Sequence, residues 1–316
     1  MTPKGSGLPA MLLQHLRQVY GPEVEVLQTS TFTSGMAFPI HRLLVQHSGK
    51  TLPVVLKFYP AGFEGHFSRE SWALTHLPEL QIAAPMLLGT SQLPEGSAVV
   101  MEWIEGRPLM DLLLPEDHTL ASKRFVDQLV KIHSVSIENL EISQENSESA
   151  FEGLCTIFEN DFQKLHQPIL TWTAQRLHKQ TTFQKTLLHR DYHPWNVLAE
   201  PSGRLVVLDW DWGIGDPRED LGWTRLILQK SNLPLLAEEF TDLYCQQVPD
   251  ARWNLEVFDV LAHLRWLQLL EKPSARSNMT PEIQQWIEKL QLETQQMIEQ
   301  ISGITIALHR KNPSDI

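Results

Sequence analysis

Three oxygen-bearing side chains have the types and spacing that phosphoryl transfer needs. Asp191 and Asn196 stand five residues apart in His189-Arg190-Asp191-Tyr192-His193-Pro194-Trp195-Asn196. That is the separation of a catalytic carboxylate and a magnesium-binding amide within one loop. The run Leu205-Val206-Val207-Leu208 reads as a strand and delivers Asp209. A carboxylate at the end of a buried strand is a costly charge unless something pairs with it, and a metal ion would do so. The chemistry asks the protein mainly for positioning and charge neutralisation. It needs a carboxylate near the attacking hydroxyl, hard oxygen ligands for magnesium and a cation on the nucleotide phosphates.

The cation is Lys57, set inside the apolar run Val54-Val55-Leu56-Lys57-Phe58-Tyr59. A buried lysine is uncommon unless paired, and Glu70 on the following helix is the natural partner. The pair resembles the strand lysine and helix glutamate that position the phosphates of ATP in kinases. The alternative is an edge-strand charge snorkelling to water, with Glu70 exposed. A phosphate-covering loop is expected over Thr31-Phe32-Thr33-Ser34-Gly35-Met36. Its backbone N–H groups, helped by Ser34 and Gly35, would cradle phosphate. It holds one glycine, less than a full G-x-G-x-x-G, and the chain carries no Walker A motif.

From His189 to Leu221 the chain resembles the aminoglycoside phosphotransferase and choline kinase family, distant relatives of protein kinases. The family text runs His-Gly-Asp-x-His-Pro-x-Asn, a strand, Asp-Trp-Glu or similar, then Gly-Asp-Pro and Asp-Leu. Here it reads His189 to Asn196, Asp209-Trp210-Asp211, Gly215-Asp216-Pro217 and Asp220-Leu221. The resemblance implies that Asp191 is the catalytic base and that Asn196 and Asp209 hold Mg2+. It gives Asp211 a supporting or second-metal role. By the same analogy Met101, Glu102 and Ile104 belong to the interlobe hinge. There the Glu102 C=O and Ile104 N–H would bond adenine, and Met101 would border the pocket.

Two departures stand out: Arg190 replaces the commoner glycine, leaving its role open, and Trp195 stands where glycine is common. His193 has two readings, near the γ-phosphate or hydrogen-bonded within the loop. His189 is read as orienting the loop through backbone bonds. A zinc site built from His189 and His193 lacks a third ligand. From Asp209 to Asp216 there is no room for a protein kinase's activation loop, which points to a small-molecule kinase.

These residues need a scaffold. Leu8–Tyr20 has helical spacing and stops at Gly21, and strands are expected over 24–27, 40–45, 52–59, 86–89 and 97–103, with a helix over 67–77. Helices follow over 120–135, 151–178, 219–229, 234–247, 255–270 and 281–301, with polar links at 141–149 and 272–278. The fold class expected is α+β and bilobal, protein-kinase-like. A small antiparallel-sheet nucleotide lobe spans residues 1–105, with its hinge near 102–106, and a larger helical lobe spans 106–316. Asp216-Pro217-Arg218-Glu219 reads as a helix start, with Asp216 the cap and Glu219 the capping-box partner. His133 is read as a core contact. Trp195, Trp210, Trp212 and Trp223 are read as packing, with a cation–π wall for an amine as the alternative.

The formal net charge of −12 makes the chain a poor nucleic-acid binder. Cys155 and Cys245 have no metal or redox spacing and read as reduced thiols. No apolar run matches a membrane span or a signal peptide, so a cytoplasmic protein is expected, a monomer or homodimer. The expected activity is ATP- and Mg2+-dependent transfer to a hydroxyl of a small molecule, a cationic one included. Glu159, Asp161 and Asp220 are candidates to bind an amine. The competing reading is a catalytically silent nucleotide-binding sensor or scaffold.

Overall fold

The computed structural model describes residues 8–32, 38–114, 118–138, 140, 161–178, 184–271 and 280–306. Ser34, Gly35, Cys155 and Glu159 lie outside the described residues, as do both polar links and the first part of the helix expected from Phe151. The chain divides into two compact units. One comprises Met1–Ala121 with Pro194–Trp212, and the other Ser122–His193 with Gly213–Ile316.

In the first unit β1 (Glu25–Phe32), β2 (Ile40–His47) and β3 (Lys50–Pro60) form an antiparallel meander. β5 (Gly96–Glu102) pairs with β3 and β4 (Leu87–Leu93) with β5, giving the order β1-β2-β3-β5-β4. Side chains alternate between the faces of a strand, so each face carries its own task. Leu43, Val45, Val54, Leu56, Ala98 and Val100 make one face, packed with Leu12 and Leu16 of α1 (Ala10–Tyr20). Val55, Lys57, Tyr59, Val99 and Met101 alternate with these residues and so belong to the other face. α2 (Glu64–His76) is inserted between β3 and β4 and carries the buried Glu70 that meets Lys57 and Tyr59.

A second, three-stranded sheet completes this unit, with β8 (Val197–Ala199) between β6 (Arg107–Pro108) and β9 (Leu205–Val207). The short helix α3 (Met110–Leu113) follows β6. The strand read at Leu205–Leu208 forms, and β6 is an addition, too short to leave a periodic trace in the sequence.

The second unit is mostly helical. It contains most of α4 (Thr119–His133), then α5 (Asp161–His178), α6 (Arg218–Lys230), α7 (Pro234–Gln247), α8 (Leu255–Glu271) and α9 (Pro281–Ser302). The two-stranded ribbon of β7 (Thr186–Leu188) and β10 (Gly213–Gly215) flanks the motif region. α8 is apolar around most of its girth because α5, α6 and α9 all pack on it. α9 starts at Thr280, whose hydroxyl accepts the Ile283 N–H, and ends at Gly303 with φ +74°. The start of α6 is the expected reciprocal cap: Asp216 accepts the Arg218 N–H at 3.0 Å and Glu219 accepts the Asp216 N–H at 3.3 Å. Among the described residues no helix is long and apolar enough to cross a membrane.

The approach of α6 to α8 depends on Gly222. A Cβ there would lie 2.7 Å from the Phe258 carbonyl oxygen, inside contact distance of a helix backbone. Gly222→Ala is expected to lose about 1–3 kcal/mol of stability in urea denaturation, the usual cost of overpacking. An unchanged midpoint would contradict the close helix contact.

Candidate active site

In the first unit the sequence places a lysine on the sheet face turned to α2, and the geometry follows. Lys57 Nζ donates to Glu70 Oε1 at 3.2 Å and to Asp209 Oδ1 at 2.7 Å. The Tyr59 hydroxyl donates to the other Glu70 oxygen. Burial pushes the Lys57 ammonium toward neutrality, but Asp209 and Glu70 outweigh it, so its pKa lies well above the usual lysine value. Asp209 follows β9 in a left-handed conformation, φ +56°, which aspartate tolerates better than most residues.

These three charged groups line a cavity of about 200 Å³ whose other walls are largely apolar. Ile40 and Val55 come from the sheet, Leu198 and Leu208 from around β8 and β9, and Met101, Glu102 and Ile104 from the end of β5 and the turn after it. The Glu102 N–H is taken by the Met86 carbonyl at 3.0 Å, and the Glu102 carboxylate accepts the Met86 N–H at 2.8 Å. Among the described residues the Ile104 N–H has no hydrogen-bond acceptor. Phe32 and Trp103, also lining residues, stack at 6.1 Å. An apolar slot with a cation and two carboxylates has the make-up of a site for an aromatic base carrying phosphates.

Asn196 is nearly buried and sits beside Asp209 through the backbone, since the Leu208 N–H donates to the Asn196 carbonyl at 2.8 Å. An amide oxygen and a carboxylate at this juncture are the hard donors that magnesium takes, with phosphates and water in its remaining positions. Asp211 has a different neighbourhood. Its carboxylate accepts from Arg69 Nε, and His66 stands 4.0 Å away.

In the second unit, one face of α6 holds the loop that carries Asp191. Asp220, Trp223 and Thr224 are spaced i, i+3, i+4 and therefore point the same way. Asp220 is fully buried and accepts the His189 and Arg190 N–H groups, each at 2.7 Å, and His133 Nε2 lies 3.2 Å from it. Burial raises its pKa, but His133 and His189 outweigh that and hold it below the ordinary aspartate value. The Thr224 hydroxyl donates to the Tyr192 carbonyl at 2.7 Å. Trp223 Nε1 donates to Asp191 Oδ1 at 2.7 Å, and His193 Nε2 lies 3.6 Å from the same oxygen.

Asp191 is a carboxylate held firmly ionised. Burial raises its pKa, but the nearby imidazole of His193 outweighs this, aided by Arg265 and His189, and the pKa is pushed down to about 2. His189 orients the loop as read from the sequence, its Nδ1 accepting the Asp191 N–H at 3.1 Å. His133 links Asp220 to the Tyr244 hydroxyl, 2.6 Å from its Nδ1. Asp220 thus braces the loop.

Arg190, whose role the sequence left open, has φ +67°. The family's glycine would adopt that conformation without strain. Here Asp220 holds the N–H, the Arg265 guanidinium donates to the carbonyl, and the side chain lies over Gly213, where a Cβ would collide with it. Arg265 also stacks on Trp223, 4.1 Å above its centroid. Sequence reading missed Trp223 and Arg265 as neighbours of Asp191. The i+3 step from Asp220 to Trp223 was the available signal. Of the four tryptophans, Trp210, Trp212 and Trp223 are buried and Trp195 is exposed. Ser34 and Gly35 fall outside the described residues.

The family model described as the phosphotransferase enzyme family, APH, matches residues 31–256. No curated protein matches the chain. Among solved structures, LicA in complex with AMP is similar at 17% identity and TM-score 0.66, over 94% of this chain and 100% of that one. A thermostable mutant of aminoglycoside phosphotransferase APH(4)-Ia, in a ternary complex with ADP and hygromycin B, is similar at 15% identity and TM-score 0.65, over 91% and 96%. Amicoumacin kinase hAmiN in complex with AMP-PNP, Ca2+ and Ami is similar at 14% identity and TM-score 0.61, over 90% and 92%. At these identities the likeness is one of fold: an antiparallel N-terminal sheet with helices, then a larger and mostly helical part. The family model spans well over half of the sequence, and the chain belongs to the phosphotransferase enzyme family.

Proposed function

We propose that this chain moves the γ-phosphate of ATP, with magnesium, to a hydroxyl of a small molecule. The observation that carries the proposal is Lys57, buried between Glu70 and Asp209 on the wall of an apolar cavity. Adenine would occupy the cavity, its edge on the Glu102 carbonyl and the Ile104 N–H, with Met101 bordering it. Lys57, charged at any working pH, would meet the phosphates. Asn196 and Asp209 would hold magnesium, which when bound neutralises charge on the β- and γ-phosphates. Ser34 and Gly35 would cover the phosphates.

Asp191 would orient the acceptor hydroxyl and take its proton as the new oxygen–phosphorus bond forms and the bond from the γ-phosphorus to the bridging oxygen breaks, releasing ADP. Trp223 holds one carboxylate oxygen in place, with His193 3.6 Å from the same oxygen, so the base would meet its substrate ready oriented. The acceptor proposed is an amino sugar antibiotic, an amino alcohol or a sugar-like compound. In support, similar folds carry hygromycin B or Ami beside a nucleotide. The protein would work in the cytoplasm, as a monomer or homodimer.

Phosphate release or transfer from ATP, compared between the wild type and Asp191→Asn, tests the base. A fall of about 10²–10⁴-fold in kcat is expected, the usual weight of general base catalysis, with ATP affinity retained in calorimetry. Equal turnover would remove Asp191 from the mechanism.

The pH dependence has a definite sign. A native pKa of about 2 lies below the unfolded value of 3.8, so Asp191 stabilises the fold above the unfolded value and that contribution is lost as pH falls through about 2. Its ionised form persists through mildly acidic solution. His193→Gln removes the strongest influence that lowers this pKa, and the acid limb of kcat/KM should move to higher pH. An acid limb that stays in place would show that His193 does not tune the base.

A further inference from the structure

We infer that Arg69 and Asp211 form a latch that fixes the roll of α2, and that Asp211 serves this latch and not a metal ion. Both are then positioning residues for the Lys57–Glu70 pair. The inference deepens the phosphotransferase reading and rests on it for its kinetic part.

At 3.6 residues per turn, Glu70 leaves α2 about 100° around the axis from Arg69, while Trp72, three residues beyond Arg69, shares its face. Glu70 reaches Lys57 on the sheet at 3.2 Å. Arg69 Nε donates to Asp211, and Trp72 stacks on Trp212 with ring centroids 3.7 Å apart. Glu70 shares the sheet-facing side of α2 with the buried Phe67, Ala73 and Leu74. Contacts in a second direction, roughly a quarter-turn away, resist the roll of the helix about its axis.

The segment that receives these contacts is itself anchored. The indole of Trp210 is buried and donates to the Val207 carbonyl at 3.0 Å, and Trp212 is fully buried. Between the two tryptophans and β9, Asp209 goes to Lys57 and Asp211 to Arg69. The contacts therefore close a circuit. It runs from Lys57 to Glu70, one residue back to Arg69, across to Asp211, two residues back to Asp209, and again to Lys57. His66, one turn earlier on α2, accepts from the Arg69 guanidinium at 2.7 Å and orients it toward Asp211. The pair is partly shielded, with the Arg69 side chain 20% and the Asp211 side chain 34% exposed, so it is worth more than a fully solvated ion pair. Asp211 is engaged by the Arg69 guanidinium, while the backbone bond between Leu208 and Asn196 joins Asn196 to the Asp209 end of the segment.

The test uses the full chain with Arg69→Gln, Asp211→Asn, the double variant, and the exchanged pair Arg69→Asp with Asp211→Arg. Three quantities are read: ATP affinity without added metal, the magnesium concentration for half-maximal phosphate release, and the near-ultraviolet dichroism of the stacked indoles Trp72 and Trp212. The latch predicts that each single variant weakens ATP binding about tenfold, with the double variant no worse than either, the non-additivity of residues acting as one unit. The dichroism should weaken in parallel, the exchanged pair should recover part of both, and the magnesium requirement should stay at the wild-type value. A raised magnesium requirement in Asp211→Asn but not in Arg69→Gln would overturn the inference and make Asp211 a metal ligand. Wild-type ATP affinity and dichroism in Arg69→Gln would overturn it as well. A wild type that binds no ATP would sink the nucleotide reading instead, and the dichroism of the variants would still decide the latch.

Discussion

An ammonium group buried in the first unit is the constraint on which the candidate site depends. Lys57 sits on a strand of apolar residues, and its charge is tolerable because Glu70 and Asp209 both meet it. Breaking such a pair from one side leaves an uncompensated buried charge, at about 3–5 kcal/mol. That penalty dictates much of the architecture. α2 must follow β3 closely enough to bring Glu70 over the same face. β9 must end where Asp209 can turn, in a left-handed residue, toward the lysine. The alternation of β3 and β5 then leaves Val55 and Met101 on the lysine's face, lining the same cavity.

The second unit solves a similar problem with a buried anion. Asp220 has no exposure and would be costly alone. Two backbone N–H groups and His133 satisfy it, and those N–H groups belong to residues just before Asp191. A single helical face, from Asp220 to Thr224, therefore sets the loop backbone and one oxygen of its carboxylate. Arg190 keeps a left-handed conformation that glycine would adopt without strain, and contacts to its N–H, its carbonyl and its side chain all hold it there.

Much of this was legible in the sequence, and the exceptions have physical reasons. Lys57 in an apolar strand announces a need for a partner, and Glu70 is the one acid within the helix expected over 67–77. The step from Asp191 to Asn196, and the strand that delivers Asp209, are local patterns. The cap at Asp216 is local too, and it forms. The contacts that sequence did not reveal are long-range. Arg69 and Asp211 are 142 residues apart, and Trp223 and Asp191 are 32 apart. Periodicity says which face of α2 or α6 a residue occupies, but not what another segment brings to it. Two- and three-residue strands such as β6 and β10 are too short to show a period of their own. The tryptophans of the motif region looked alike in sequence, yet Trp210 and Trp212 pack beside Asp209 while Trp223 donates to Asp191.

Lys57 is the residue on which phosphoryl transfer should depend most. Mass spectrometry can follow phosphate gain by a panel of amino sugars, macrolides, amino alcohols and free sugars incubated with ATP, magnesium and the protein. One acceptor class is expected to gain a phosphate with the wild type, and Lys57→Met, which keeps the strand's apolar character, is expected to lose that transfer. Phosphate gain at the wild-type rate with Lys57→Met would contradict the role of the buried lysine.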